Sequence, residues 1–276
     1  MSHTQIAFLG GGNMGRAMIG GLLRRGTRPE QITVGEHVAA ARDSLSSEFG
    51  VQATADNTAA IDRATVVVVA VKPQDAADVL IPLQSILTRN RPTVLSVAAG
   101  LRVAALETWC GPGVPVVRAM PNRPALVGAG ASGMFAPAHV GESHRSAAEK
   151  VMEATGEFVW VPTEDALDVV TALSGSGPAY FFLLAELMAQ AAVEQGLDAE
   201  AARRLAVATL HGSGLLAHSS DGNLERLRTE VTSKGGTTEA ALRTFNGADL
   251  RGIVTRAVES ATLRSRELAA QFGQKR

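Results

Sequence analysis

Hydrophobic residues follow two different patterns along the chain, and the change falls near Glu164. Before it, short aliphatic runs alternate with stretches whose apolar residues recur at helical spacing. The runs are continuous rather than alternating, which is typical of strands covered on both faces. This β-α-β-α order predicts a parallel, doubly wound sheet with right-handed crossovers. The predicted strands are 6–9, 32–34, 66–70, 94–97 and 114–117.

After Glu164 the strand pattern ends and helical stretches rich in Ala and Leu follow. The predicted helices are 165–173, 179–195, 199–218 and 249–272. We therefore predict an α/β domain over residues 1–163 and an all-helical domain over 164–276. Because these helices are apolar on more than one face, we expect the second domain to bury surface against a second copy of the chain. The alternative is that it packs on its own α/β domain.

Composition and charge narrow the classes of function. The 276 residues are 46% hydrophobic and 19% charged, which is typical of a globular protein. A net charge of −1 gives no electrostatic reason to expect nucleic acid or an anionic membrane as partner. The single Cys110 cannot form an internal disulfide, the first residues lack the pattern of a signal peptide, and the aliphatic run 66–71 is too short to span a bilayer. We expect a soluble, cytoplasmic protein.

A glycine-rich turn follows the first predicted strand. Gly10, Gly12 and Gly15 form the pattern G-x-G-x-x-G and open a predicted helix. Such glycines permit a tight turn, close approach of a pyrophosphate and close packing of helix on strand. The N–H groups at the start of the helix then face the phosphates. The alternative is a purely structural turn, but the strand–helix–strand context favours a dinucleotide site.

Two further strand ends are candidates for cofactor contacts. Glu36 ends the second strand about 20 residues after the glycines, where an acid accepts the ribose hydroxyls of NAD and repels the 2′-phosphate of NADP. Lys72 and Pro73 follow the third predicted strand, and ligands of doubly wound sheets lie at the carboxyl ends of strands. The alternatives are a solvated surface glutamate and a solvated loop lysine.

A glycine pair interrupts the helical half of the chain, in the segment Ser233-Lys234-Gly235-Gly236-Thr237-Thr238. Paired glycines let several backbone N–H groups converge on an anion. The positive end of the helix that follows also favours a carboxylate. The alternative is an ordinary connection between helices in which Thr237 or Thr238 caps the second one.

Together these segments resemble the pyrroline-5-carboxylate reductase family. The Ser-x-Gly-Gly-Thr-Thr loop is specific to that family, whereas the glycine fingerprint is not. The motifs follow the family order from Ile6 to about Glu267. They are the fingerprint with Asn13-Met14, Ala70-Val71-Lys72-Pro73, Ala98-Ala99-Gly100, Met120-Pro121-Asn122, Ser174-Gly175-Ser176-Gly177-Pro178-Ala179-Tyr180 and the segment 232–238.

The resemblance implies an N-terminal Rossmann domain, a helical domain that interlocks into a homodimer, and a larger ring of such dimers. It implies hydride transfer from NADPH or NADH to the C=N bond of 1-pyrroline-5-carboxylate, giving L-proline in the last step of proline biosynthesis without a metal ion. The implied cofactor contacts are Gly10, Gly12, Asn13, Met14, Gly15, Glu36, Asn57, Val71, Lys72, Pro73 and Ala98. The implied substrate contacts are Glu164, Ser233, Gly236, Thr237 and Thr238. In the family, the hydroxyl at Thr238 is the catalytic group that hydrogen-bonds the ring nitrogen.

Three residues depart from the family pattern. Lys234 replaces the usual proline of the loop, and Arg123 replaces a common threonine. Glu36 stands where many relatives carry small polar residues that receive the NADP phosphate, so the choice between NADH and NADPH is open. One alternative function is another two-domain imine or β-hydroxyacid reductase, for which a lysine on the long helix is expected, although 180–195 contains none. The other is a non-catalytic NAD(P)-sensing regulator.

Overall fold

One eight-stranded sheet contains every strand in the computed structural model, which describes residues 4–272. The strand order is β3-β2-β1-β4-β5-β6-β7-β8. The strands are β1 Ile6–Leu9, β2 Ile32–Gly35, β3 Gln52–Thr54, β4 Val66–Val69, β5 Thr93–Ser96, β6 Val116–Met120, β7 Gly130–Phe135 and β8 Gly156–Trp160.

The sheet is doubly wound around β1. Ile6 lies opposite both Ile32 of β2 and Val66 of β4, and both pairings are parallel. The chain therefore moves outward from β1 in one direction and then in the other. A crevice forms where the order reverses, at the carboxyl ends of β1 and β4, and such crevices are the usual ligand sites of this architecture. The predicted doubly wound sheet is confirmed.

The sheet differs from the prediction in three strands and in one pairing direction. β3, β7 and β8 were not predicted, because they are short, polar or glycine-containing and lie toward the two edges of the sheet. β7 runs antiparallel to β6, with Ala119 opposite Met134, so the sheet is not entirely parallel. The predicted strand 114–117 also begins later, at Val116.

Aliphatic side chains cover both faces of the central strands, which explains their unbroken hydrophobic runs. In β4, Val66 and Val68 pack into one buried cluster, while Val67 and Val69 pack into a second cluster. All four side chains are fully buried.

Helices account for most of the remaining secondary structure. The four helices predicted after Glu164 are confirmed in place, although the first ends in a π-helical turn, Thr171–Gly175. Two shorter helices, α11 and α12, surround the glycine pair. The helices are α1 Asn13–Arg24, α2 Ala39–Phe49, α3 Asn57–Ile61, α4 Ala76–Leu80, α5 Gln84–Asn90, α6 Val103–Cys110, α7 Glu142–Met152, α8 Ala166–Val170, α9 Gly177–Glu194, α10 Ala199–Ser219, α11 Leu224–Glu230, α12 Thr237–Gly247 and α13 Leu250–Phe272.

By packing, the chain divides into two compact units. The sheet unit consists of residues 4–176 together with 261–272, and the helical unit is Gly177–Ser260. The predicted boundary at Glu164 was placed where the strand pattern ends. The boundary at Gly177 is instead defined by the contacts between residues. Residues 165–176 and the end of α13 belong to the sheet unit because Asp168 and Ser265 are buried there and hydrogen-bond each other.

The helical unit, taken by itself, buries almost none of its side chains. Gly177 and Ala202 are the only buried residues in Gly177–Ser260, and Phe181 and Phe182 are about 60% exposed.

One stretch of the described chain, Ala166–Glu194, is long and apolar enough to cross a membrane, with a mean hydropathy of 1.3. Soluble proteins with apolar helices meet the same criterion, and Asp168 in this stretch forms an ion pair with Arg102.

Candidate active site

The glycine turn between β1 and α1 forms an open cradle at the switch point of the sheet. Gly10 has a φ of +100°, a conformation that favours glycine. A Cβ at Gly15 would lie 2.7 Å from the carbonyl oxygen of Gly10, so only glycine allows this close packing. Gly12 has no heavy atom within 4 Å of its Cβ position and directly precedes α1, whose first turn carries no acidic residue. The cradle fits a dinucleotide pyrophosphate.

Glu36 lies at the end of β2 and its carboxylate turns back to the glycine turn. Oε2 accepts a hydrogen bond from Gly11 N (3.0 Å), and Oε1 accepts one from Val38 N (2.9 Å). The side chain is only 11% exposed, so the alternative of a solvated surface glutamate is wrong. Burial alone would raise the pKa of Glu36, but hydrogen bonds from Val38 and Gly11 outweigh burial and lower it. The carboxylate is therefore ionised at neutral pH.

A cleft of about 340 Å³ joins the cradle to the ends of the neighbouring strands. Six of the predicted cofactor residues line it, namely Gly10, Gly12, Glu36, Asn57, Val71 and Lys72. Lys72 is exposed at its rim and forms no ion pair in the described chain, so the alternative of a solvated lysine stays open. Asn13 and Met14 lie in the first turn of α1, Pro73 follows Lys72, and Ala98 is buried just beyond β5.

Glu164 lies in a partly buried network of charges on the sheet unit. Its Oε1 accepts hydrogen bonds from Arg118 Nη1 (2.5 Å) and from the backbone N–H of Val103 (2.7 Å). Arg118, on β6, is 8% exposed, and burial lowers its pKa in spite of the bond to Glu164. The second carboxylate oxygen, Oε2, has no hydrogen-bond partner among residues 4–272. Glu164 is thus held in one orientation with one oxygen left to accept a ligand.

A second network joins α8 to the end of α13 in the same unit. Arg102 donates hydrogen bonds to Asp165 (2.7 Å) and Asp168 (2.8 Å), and Asp168 also accepts one from Ser265 (2.7 Å). Burial alone would lower the pKa of Arg102, but the charge of Asp168 and the bond to Asp165 outweigh burial and raise it. The charge of Glu164 also favours the charged form of Arg102, so the two networks interact electrostatically.

Asn122, in the Met120-Pro121-Asn122 motif, is a structural clamp. It is buried, its Nδ2 donates to the carbonyl of Ser174 (3.0 Å), and its Oδ1 accepts from Ala131 N (2.9 Å). The motif is thereby fixed to β7 and to the π-helical turn. Such turns are frequent at functional sites.

The glycine pair of the helical unit leads into α12. Gly235 has a φ of +75°, and Gly236 precedes the first helical residue, Thr237. Neither Thr237 nor Thr238 caps the helix with its hydroxyl, so that alternative is wrong. Gly236 donates its N–H to Ser233 O (3.0 Å). Its N–H is therefore not free to bind a ligand, and Gly236 contributes through the conformation of the backbone. The Thr238 hydroxyl has no hydrogen-bond partner among the described residues.

The sheet unit brings the cradle, Glu36, Asn57, Val71 and Lys72 into one cleft, while Ser233, Gly236, Thr237 and Thr238 form one loop of the helical unit.

The sequence analysis did not identify Gly35 and Arg118 as residues that shape the site. A Cβ at Gly35 would overlap the amide oxygen of Asn57, which explains a glycine at the end of β2. The sequence does indicate a buried ion pair at Arg118, because an arginine within an aliphatic strand needs a buried partner.

A doubly wound sheet with a glycine cradle at its switch point and a glutamate at the end of the second strand defines a dinucleotide-binding protein of Rossmann type. The family model described as pyrroline-5-carboxylate reductase dimerisation matches residues 164–268, and the model described as NADP oxidoreductase coenzyme F420-dependent matches residues 5–100. A pyrroline-5-carboxylate reductase of Vibrio alginolyticus is 43% identical over 99% of this chain and 100% of its own length. The chain belongs to the pyrroline-5-carboxylate reductase family.

Solved structures agree with this assignment. A pyrroline-5-carboxylate reductase from Coxiella burnetii has a TM-score of 0.93 and 38% identity, with 97% of this chain and 99% of the other covered. The pyrroline carboxylate reductase of Plasmodium falciparum, solved with NADP bound, has a TM-score of 0.81 and 26% identity over 98% of this chain and 99% of its own. The fold is therefore that of the family along nearly the whole chain.

Proposed function

We propose that the chain reduces the C=N bond of 1-pyrroline-5-carboxylate with NADH or NADPH and so forms L-proline, the last step of proline biosynthesis. The observation that carries the proposal is the agreement of the chain with a pyrroline-5-carboxylate reductase along 99% of its length. The cleft beside the glycine cradle supports it, because the residues there fit a dinucleotide.

The cofactor end of the site is formed by the glycine cradle, the carboxylate of Glu36 and residues at the ends of neighbouring strands. When bound, the reduced nicotinamide dinucleotide supplies the hydride. Gly10, Gly12 and the first turn of α1 bind the pyrophosphate, with Asn13, Met14 and Gly15 shaping that turn. Glu36 accepts the ribose hydroxyls. Asn57, Val71, Lys72, Pro73 and Ala98 complete the cofactor contacts, and we assign no metal ion to the site.

We assign to substrate binding the 233–238 loop of the helical unit and Glu164 of the sheet unit. Free N–H groups of the loop bind the substrate carboxylate, and the uncommitted Thr238 hydroxyl orients the ring nitrogen. A threonine hydroxyl is a weak acid, so its role is orientation of an imine that is already protonated. In the sheet unit, Arg118 holds the carboxylate of Glu164, which we also assign to substrate binding. The Thr238 hydroxyl favours the protonated imine, whose carbon is the better hydride acceptor.

We further propose that the functional particle is a cytoplasmic homodimer, and that dimers assemble into a ring. The exposed apolar residues of α9 support the dimer, since a helix with this composition is stable in water only when it is covered. Exposed Phe181, Phe182, Leu183, Leu184, Leu187 and Met188 form this apolar surface.

The test is a spectrophotometric assay of cofactor oxidation with pyrroline-5-carboxylate and each reduced cofactor in turn. We expect oxidation only when the imine is present, with one proline formed per cofactor and undiminished rates after exhaustive chelation. A regulator would bind the cofactor without oxidising it. A β-hydroxyacid reductase would oxidise it with a keto acid and not with the imine. Either result would overturn the proposal.

A further inference from the structure

The loop that leads into α12 has more backbone N–H groups than it uses. Two are committed, because Gly236 donates to Ser233 O (3.0 Å) and Gly235 donates to Oε2 of Glu239 (2.6 Å). Five others have no acceptor among residues 4–272. They are the N–H groups of Ser233, Lys234, Thr237, Thr238 and Glu239.

Among residues 4–272, Glu239 is the one residue whose side chain hydrogen-bonds to the backbone of this loop. It is the third residue of α12, and its carboxylate reaches back past Thr237 and Gly236 to Gly235. Gly235 has positive φ and open space around its Cβ position, so packing does not fix it. A hydrogen bond from a backbone N–H to a carboxylate is stronger than a neutral one, and it spans the glycine pair. Without it, the two glycines can adopt many other conformations.

The same carboxylate places a negative charge beside the free N–H groups. Neither Glu239 nor Lys234 forms an ion pair in the described chain, so no cation is fixed against that charge. The N-terminal end of a helix attracts anions, and Glu239 already occupies part of that field. A second carboxylate that binds at the loop would therefore be attracted by the free N–H groups and repelled by the charge of Glu239.

We propose that Glu239 is a positioning residue of the substrate site, which holds the 233–238 loop through Gly235 and whose charge weakens the binding of the substrate carboxylate. This inference rests on the proposed function, in which the loop binds that carboxylate. It assigns to Glu239 two effects of opposite sign. The chain offers substitutions that separate them.

Glu239→Gln keeps an acceptor oxygen for Gly235 and removes the charge. We expect the KM for pyrroline-5-carboxylate to fall about threefold, as expected for loss of a like charge several ångströms away in a solvated site. The kcat and the KM for the cofactor should not change. Raising the ionic strength should reduce the difference from wild type, because salt screens exposed charges.

Glu239→Ala removes the charge and the acceptor together. We expect its kcat/KM for the imine to lie about tenfold below that of Glu239→Gln, because the loop loses its preorganisation. Glu225→Gln and Glu225→Ala are matched controls, since Glu225 is an exposed glutamate in the first turn of α11 and contacts Arg228 rather than the loop. Both controls should match wild type.

The outcomes separate this inference from the proposed function. Wild-type protein that does not turn over the imine overturns both. An active wild type with Glu239→Gln and Glu239→Ala indistinguishable from it overturns only the role of Glu239. The same holds if both variants lose activity and thermal stability in parallel with no salt dependence, because Glu239 would then only stabilise the helix.

Discussion

At the scale of single residues, we expect Glu36 to influence the choice between NADH and NADPH. Both its oxygens already accept backbone N–H groups, from Gly11 and Val38, so the charge is fixed in place. A carboxylate retains further acceptor capacity for the ribose hydroxyls of NADH. Near the 2′-phosphate of NADPH it would meet like charge. Arg42 lies close by, with Nη1 bonded to the carbonyls of Glu36 and His37, and its charge offsets part of that repulsion.

We predict that NADH is used at least as well as NADPH, and that Glu36→Ser shifts the ratio of kcat/KM values toward NADPH by about tenfold, equivalent to ~1.4 kcal/mol. The reason is the loss of a fixed negative charge beside the phosphate. The measurement is the pair of kcat/KM values for wild type and variant. Glu30→Ser, at an exposed glutamate outside the cleft, is the control. A wild type with strong NADPH preference that Glu36→Ser leaves unchanged would falsify this role.

Thr238→Ala is predicted to lower kcat/KM for the imine by about 10- to 100-fold, in line with the loss of one positioning hydrogen bond worth roughly 1.5–3 kcal/mol. Its hydroxyl is uncommitted in the fold, so stability should not change. Thr244→Ala is the control in the same helix, because the Thr244 hydroxyl bonds only to Ala240 O. Loss of stability with unchanged kcat/KM would assign Thr238 a structural role instead.

Single residues also show how much of the site could be predicted from the sequence. Gly10, Gly12 and Glu36 were predictable because their spacing has a fixed meaning beside a strand and a helix. The pairing of Glu164 with Arg118 was not, because the two residues are distant in sequence and meet only when β6 and the start of α8 pack together. The bond between Glu239 and Gly235 was not predictable for a different reason, because it depends on where α12 begins.

At the scale of elements, a buried hydrogen bond joins the end of α13 to α8. Ser265 Oγ donates to Asp168 (2.7 Å), whose other oxygen binds Arg102. Ser265→Ala leaves a buried carboxylate with one donor fewer, so we predict a loss of about 1–3 kcal/mol in the free energy of unfolding. Denaturant titration measures it. Ser260→Ala is the control, since Ser260 lies in the same helix, exposed, and bonds only to Arg256 O. Equal effects in both variants would contradict the prediction.

Among the elements, the central strands were predictable and the peripheral ones were not. β1, β4 and β5 carry aliphatic runs because both their faces are covered. β3 has the sequence Gln52-Ala53-Thr54, and β7 contains two glycines, so neither carries a hydrophobic pattern. Their strand structure comes from pairing with a neighbour that is already in place. The antiparallel direction of β7 likewise depends on a short connection from β6, which composition does not indicate.

At the scale of the whole molecule, the helical unit needs a partner. We predict that Phe182→Asp, on the apolar surface of α9, shifts the protein from dimer to monomer or to unfolded chain, because it places a charge in a face that must be covered. Sedimentation at micromolar concentration measures the mass. Val127→Asp is the control, at a 79% exposed apolar residue of the sheet unit. A wild type that sediments as a compact 28.7 kDa monomer would contradict the prediction.

The membership of α13 in both packing units has a consequence for biosynthesis. Its last turns belong to the sheet unit, where Ala269 is buried and Phe272 packs beside Gly100. A ribosome delivers all eight strands first, then the entire Gly177–Ser260 segment, and only afterwards this final piece. Nascent domains usually fold in the order of their emergence. Here the sheet unit is translated first but is completed only by the end of α13, which is translated after the helical unit. The nascent sheet must therefore persist with part of its surface uncovered while the intervening helices are translated.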